Sequence, residues 1–235
     1  MAQSSPSKTV RALAAGRVQL IACYGTSLTY GGAWVGQLDR ELQRLFPCNV
    51  LMVNGGVGGM ASPGGVNGLE RRVLRTHPDC VFLEFGINDA YDGYKIPVET
   101  CRSNLVTMID RILATNPECE IILMTMNPTL GKPKDVRPHL EDYYQVYRDV
   151  AKERGLLLVD HYTNWLTVLQ TDRAAFDRFI PDGLHPGALG CSIVITPGIL
   201  SALGLGGGFE ESWKAYLGQA AETKTEGPKE GARQR

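Results

Sequence analysis

The sequence predicts a single three-layer α/β domain, and three observations carry that expectation. Short apolar runs alternate with stretches of helical periodicity. Glycines gather where the apolar runs end. At 235 residues and 43% hydrophobic, the chain can bury one substantial core but is short for two full domains.

The strand runs are "VQLIAC" (18–23), "NVLMV" (49–53), "DCVFLEF" (79–85), "EIILMT" (120–125) and "LLLVD" (156–160). Each is almost continuously apolar, as parallel strands covered on both faces are. Between the first two, Trp34, Leu38, Leu42 and Leu45 recur every three to four residues while Arg40, Glu41, Gln43 and Arg44 mark a wet side, so 33–46 reads as a helix. After the second run, Pro63-Gly64-Gly65 is expected to delay the next helix by several residues. A helix is expected over 98–115, stopped by Asn116-Pro117. Another is expected over 137–154, where Leu140, Tyr144, Tyr147 and Ala151 share a face and Gly155 ends it. A last one over 188–203 should be kinked by Pro197.

Residues 1–17 read as an N-terminal extension, 18–204 as the domain, and 205–235 as a terminal segment. In that segment "GLGGG" is a flexible joint, "FEESWKAYL" forms one short helix, and the polar stretch from Ala220 is expected to be disordered.

The 24 basic and 25 acidic residues give a formal charge of −1, so no global field draws the chain to nucleic acid or an anionic membrane. A small neutral or weakly charged ligand fits better. Six cysteines without paired spacings, several inside apolar runs, suggest reduced core thiols and a reducing compartment. Arg17 interrupts any apolar stretch at the start long enough for a signal peptide or span, which makes the cytoplasm the expected location.

Ligands of open parallel sheets sit outside the carboxyl ends of the strands. Those ends read "GTSL", "NGGVGGMASPGG", "GIND" and "MNPTLGKP". Gly56 to Ala61 formally matches the dinucleotide pattern G-x-G-x-x-G/A, but the expected delay of the following helix would misalign it with a pyrophosphate. A different use of the same loop is Gly59 offering its backbone N–H to an oxyanion.

A serine such as Ser27 needs a base and the base an orienting partner. His77 lies at the wrong end of the sheet, His139 at a solvated helix start, and His161 next to Asp160 on an extended strand where neighbours face apart. His185 in "PDGLHP" has Asp182 three residues earlier, and a tight turn at Gly183 would bring that carboxylate to Nδ1 and leave Nε2 for Ser27. Glu84, inside an apolar strand, reads as a hydrogen-bonded structural carboxylate. Asn54 is expected to tie the glycine loop to its neighbours and Asp89 to brace the turn carrying Asn88. Tyr91, Asp92 and Tyr94 follow the Asn88 turn and Trp165 lies after the fifth strand; such aromatics can stack on a sugar ring, although core or rim packing is their commoner use.

Taken in order, "YGTSLT", "NGGVGGMAS", "GIND" and "DGLHP" resemble the four signature blocks of the SGNH, or GDSL, hydrolase family. The resemblance implies a flavodoxin-like α/β/α fold with strand order 2-1-3-4-5, no metal or other cofactor, and hydrolysis of esters or related acyl bonds. Carried onto matching positions, it makes Ser27 the nucleophile, His185 the general base and acid, and Asp182 its orienter. The Ser27 and Gly59 backbone N–H groups and the Asn88 amide form the oxyanion hole. Thr26 departs from the family pattern, which has aspartate before the serine. The nucleophile elbow G-x-S-x-G of α/β-hydrolases does not fit, because position 29 is threonine. The absence of a long hydrophobic lid favours a short acyl group, acetyl foremost, on an alcohol such as a sugar. Thioesterase, lysophospholipase and non-catalytic binding readings stay open on sequence.

Overall fold

In a computed structural model that describes residues 5–225, five parallel strands form one sheet in the order β2-β1-β3-β4-β5. The strands are β1 (Gln19–Gly25), β2 (Val50–Asn54), β3 (Cys80–Glu84), β4 (Glu120–Thr125) and β5 (Leu157–Asp160), each within two residues of the apolar runs. The longer helices are α1 (Lys8–Ala14), α2 (Ala33–Leu45), α3 (Ser62–Arg72), α4 (Val98–Thr115), α5 (Leu140–Arg154), α6 (His161–Thr171), α7 (Arg173–Phe179), α8 (Thr196–Ala202) and α9 (Phe209–Thr225). Helices α3, α4 and α5 pack in succession, and α2 packs against α8; with right-handed crossovers on either side of β1 the two groups cover opposite faces of the sheet. Strand order reverses between β1 and β3, and the chain leaves both strands at the same edge through one-turn helices, Ser27–Tyr30 and Gly86–Asp89.

Both faces of the sheet are dry. Trp34 of α2 is fully buried, meets Phe82 of β3 edge to face at 6.0 Å, and donates its indole N–H to Leu28 O at 2.8 Å. On the opposite face, the Tyr147 hydroxyl accepts from Phe85 N at 2.8 Å, fixing the exit of β3. Each such large side chain contributes about 1.5–3 kcal/mol through burial, so the turns above the sheet rest on rigid supports.

Four local expectations are corrected. The helix after β2 is not delayed: α3 starts at Ser62 with Pro63 in its first turn, where a missing N–H costs nothing, and Gly65 packs where a Cβ would lie 2.9 Å from the Phe85 ring. Pro197 does not simply kink a helix. The stretch Cys191–Ile195 just before α8 is wound as a π-helix, which accommodates a proline that cannot donate to the carbonyl four residues back. The segment set apart as an N-terminal extension contains α1, capped by Ser7 Oγ on Val10 N (3.1 Å) and seated with Val10 and Leu13 in the core. The terminal helix runs beyond Leu217 to Thr225, so part of the stretch expected to be disordered is helical; residues 226–235 lie outside the described residues. No described helix is long and apolar enough to cross a membrane.

Candidate active site

Ser27 stands at the first position of the one-turn helix that follows β1. Thr26 caps that turn, its Oγ1 accepting from Leu28 N at 3.1 Å. The Thr26 carbonyl accepts from Thr29 N and Tyr30 N at 3.2 and 2.9 Å. Because a trans peptide places C=O and N–H on opposite sides, anchoring that carbonyl in the turn aims the Ser27 N–H outward.

The loop "PDGLHP" lies across this turn. Ser27 Oγ is 3.0 Å from His185 Nε2, and His185 Nδ1 is 2.6 Å from Asp182 Oδ2. Asp182 Oδ1 accepts from the backbone N–H groups of Leu184 (2.9 Å) and His185 (2.7 Å). Burial pulls the Asp182 carboxyl upward, but the His185 backbone N–H, the imidazole and the Leu184 N–H outweigh it and hold the group below its ordinary pKa. The imidazole and the carboxylate are both about half exposed (45% and 54%), so the pair is open to solvent and to a ligand.

The fourth strand exit holds this loop, a part the sequence did not assign. Asn127, fully buried, donates to Leu184 O at 2.9 Å, and Leu130 N donates to Gly183 O at 3.0 Å. The only hint was position: an amide in the exit of a parallel strand.

The glycine loop is laced to both neighbouring exits. Asn54 Nδ2 donates to Thr29 O and Tyr30 O (2.9 and 3.3 Å) and its Oδ1 accepts from Gly56 N (3.0 Å), while Val57 N donates to Gly25 O (3.0 Å). Asn88 Nδ2 donates one hydrogen to Met60 O at 3.0 Å, which leaves the second for another acceptor. Asp89 Oδ1 accepts from Ser62 N at 2.7 Å. Burial raises the Asp89 pKa against the hydrogen bonds from Ser62. That carboxylate occupies the N-terminus of α3, so the helix end a pyrophosphate would use is already taken, a reason against a nucleotide that replaces the one read from the sequence.

Gly59 sits at φ +72°, the left-handed region that favours glycine. Its Cβ would meet the Tyr94 hydroxyl only at 3.4 Å, so backbone conformation rather than lack of room selects glycine here. Its carbonyl accepts from Tyr94 Oη at 2.8 Å, and its N–H has no partner among the described residues. Tyr94, read from sequence only as a rim aromatic, thus also fixes the glycine turn, and it meets Tyr91 edge to face at 5.0 Å.

Other candidates fall away from the site. Trp165 is fully buried between Phe176 and Phe179 and belongs to the core. His161 opens α6 instead of ending a strand; it is fully buried, and burial lowers its pKa to about 3. Asp160 turns to Arg148 (2.8 and 3.2 Å), Thr125 (2.6 Å) and Thr163 (3.1 Å). His139 is exposed at the start of α5, and His77 precedes β3 at the opposite edge.

A cavity of about 260 Å³ opens beside Ser27 and His185, walled by Leu28, Gly32, Pro186, Cys191 and Ile195. Two of these walls, Cys191 and Ile195, come from the π-helical turn.

An open parallel sheet ordered 2-1-3-4-5 between helical layers, with polar groups gathered outside its carboxyl edge, is a three-layer α/β/α hydrolase fold. Residues 22–193 match the GDSL-like lipase/acylhydrolase family model; the chain belongs to that family and is an esterase of it. It is 28% identical over 175 residues to an acetylxylan esterase of Geobacillus stearothermophilus, covering 70% of this chain and 78% of that one. It is 24% identical over 138 residues to an arylesterase of Vibrio mimicus, 59% of this chain and 62% of the relative, so the chain spans less than two thirds of that protein. Among solved structures, LAE5, an alpha/beta hydrolase enzyme from the metagenome of Lake Arreo, superimposes with a TM-score of 0.70 at 24% identity, covering 80% of this chain and 96% of the other.

Proposed function

We propose that the protein is a serine esterase that removes short acyl groups, acetyl foremost, from an alcohol such as a sugar hydroxyl, through an acyl-enzyme on Ser27. The observation that carries this reading is the line Ser27 Oγ, His185 Nε2, His185 Nδ1, Asp182 Oδ2, with successive gaps of 3.0 and 2.6 Å. With Asp182 accepting the Nδ1 proton, Nε2 has a lone pair for the serine proton. Ser27 Oγ attacks the ester carbonyl as its proton passes to His185. The tetrahedral oxyanion takes hydrogen bonds from the Ser27 and Gly59 N–H groups and from the second Asn88 hydrogen. His185 then gives its proton to the departing alcohol oxygen. Water, deprotonated by His185, attacks the acyl-serine, and His185 returns that proton to Ser27 Oγ as the carboxylic acid departs.

The small acyl group is argued from space. A 260 Å³ cavity with apolar walls falls below the range of about 300–1,000 Å³ typical of drug-sized ligands, and the acetylxylan esterase among its relatives acts, by its name, on an acetylated sugar polymer. A panel of nitrophenyl esters tests it: kcat/KM should be highest for acetate and fall steeply by octanoate, and acetylated xylo-oligosaccharide should release acetate. Preference for octanoate or a lysophospholipid would overturn the acyl assignment.

Asn88 supplies a further check. Asn88→Ala removes one oxyanion donor and is expected to lower kcat by about 10²–10³-fold with little change in KM. Wild-type kcat in this variant would remove Asn88 from the oxyanion hole.

A further inference from the structure

Glu84 ends β3 and pairs in register with Gly25, the last residue of β1. Its side chain is almost completely buried, yet it touches neither His185 nor Asp182. It turns beneath the Ser27 turn instead. Oε1 accepts from Thr26 N (2.6 Å), Thr26 Oγ1 (3.0 Å) and Thr29 Oγ1 (2.6 Å), and Oε2 lies 3.1 Å from Thr26 Oγ1. These donors flank Ser27 in sequence, one residue before it and two after. The Thr26 hydroxyl donates to the carboxylate and accepts from Leu28 N, so the carboxylate fixes the cap of the turn as well as its two ends. A Cβ at position 25 would stand 2.2 Å from Glu84 Oε1, so Gly25 is what lets the carboxylate fold back over β1.

We propose that Glu84 is the positioning residue of the nucleophile: its carboxylate clamps Thr26 and Thr29 so that the Ser27 Oγ is held toward His185 and the Ser27 N–H toward the oxyanion. A carboxylate delivered from the neighbouring strand thereby steadies a turn whose own residue before the serine, Thr26, carries no charge. Charge-assisted hydrogen bonds are shorter and stronger than neutral ones, in keeping with the two 2.6 Å contacts. Burial pushes the Glu84 pKa up to about 7 in spite of the bonds from Thr29 and Thr26. A carboxyl group kept at that cost to its charged form suits a role beyond packing. The proposal rests on Ser27 being the nucleophile.

The experiment compares the full chain with Glu84→Gln, Thr29→Val and Thr29→Ser. Glutamine keeps the volume and one acceptor oxygen but removes the negative charge, so Thr26 N, Thr26 Oγ1 and Thr29 Oγ1 lose their charge-assisted partner. Valine keeps the shape of Thr29 and removes its donor, and serine restores the donor. Nitrophenyl acetate kinetics and the rate of covalent labelling by a small phosphonate are measured on material shown to be folded by circular dichroism. A 1 Å misplacement of a reacting group can cost about a hundredfold. Glu84→Gln and Thr29→Val should therefore lower kcat and the labelling rate by between about tenfold and a hundredfold, with KM nearly unchanged, and Thr29→Ser should recover most of both. If Glu84→Gln does not fold, the Thr29 pair decides alone. Folded variants with wild-type kcat and labelling rate, or a serine variant as impaired as the valine one, would overturn the proposal. Wild-type activity in Ser27→Ala would instead remove the reading of the site itself, which keeps the two failures apart.

Discussion

Ser27→Ala is expected to reduce kcat for nitrophenyl acetate by on the order of 10⁶-fold, the loss seen when the nucleophile of a serine hydrolase is removed. The size follows from what one atom does. In the proposed mechanism Oγ forms the bond to the acyl carbon, and His185 Nε2, 3.0 Å away, has no other hydroxyl partner among the described residues. What remains is water attack on an ester bound by the oxyanion donors, worth about 10³–10⁴ over the uncatalysed rate. Stability should barely change, because the turn is held by Thr26, Thr29 and Glu84 rather than by Ser27. The measurement is therefore paired: initial rates on the purified variant, and its thermal midpoint. A folded alanine variant with native turnover would show that the hydrolysis runs through another residue.

The sheet was legible because parallel strands buried on both faces leave almost no polar residue in the run; Cys80 to Glu84 and Glu120 to Thr125 stand within a residue of where the apolar runs end. The order of the strands was not in that periodicity and came only with the four signature blocks. Candidate residues were legible for a geometric reason: parallel topology sends every strand to one edge, so polar residues at strand exits must gather there. What stayed hidden depends on contacts between distant segments. Gly64, Gly65 and Gly68 inside α3 contradict helix propensity, and the close seat on Phe85 and Met108 overrides it at Gly65. The segment 161–179 passes from strand to helix at Asp160-His161 with no glycine or proline between, so the usual punctuation is missing, and which of the packing and sugar-stacking uses Trp165 takes is decided by its contacts with Phe176 and Phe179. The first helix receives its N-terminal partner from far away, since Lys8 N and Thr9 N both donate to Glu120 at 2.8 Å. Glu84 was readable as a buried, bonded carboxylate, but that its partners bracket Ser27 depends on the β1–β3 register, which no local pattern encodes.

Asp182→Asn is expected to lower kcat by about 10⁴-fold while leaving KM and the fold nearly intact, and the reason lies in which oxygen does what. Oδ1 is committed to two backbone donors, Leu184 N and His185 N, so an asparagine must place its carbonyl oxygen there to keep both bonds. Its NH₂ group then takes the position of Oδ2, 2.6 Å from His185 Nδ1, and can only donate to it. An imidazole that accepts at Nδ1 carries its proton on Nε2, where it faces the serine with a hydrogen instead of a lone pair. The same loop geometry that sets Asp182 Oδ2 against the imidazole thus forces the asparagine variant into the wrong tautomer. Asp182→Ala removes the tautomer lock along with the carboxylate and leaves the imidazole free to present a lone pair at Nε2 part of the time, so it should retain more activity than the asparagine variant. Rates for the two variants, with the imidazole nitrogens followed by ¹⁵N chemical shift, check the argument. An asparagine variant at least as active as the alanine one, or one whose Nε2 remains unprotonated, would contradict it.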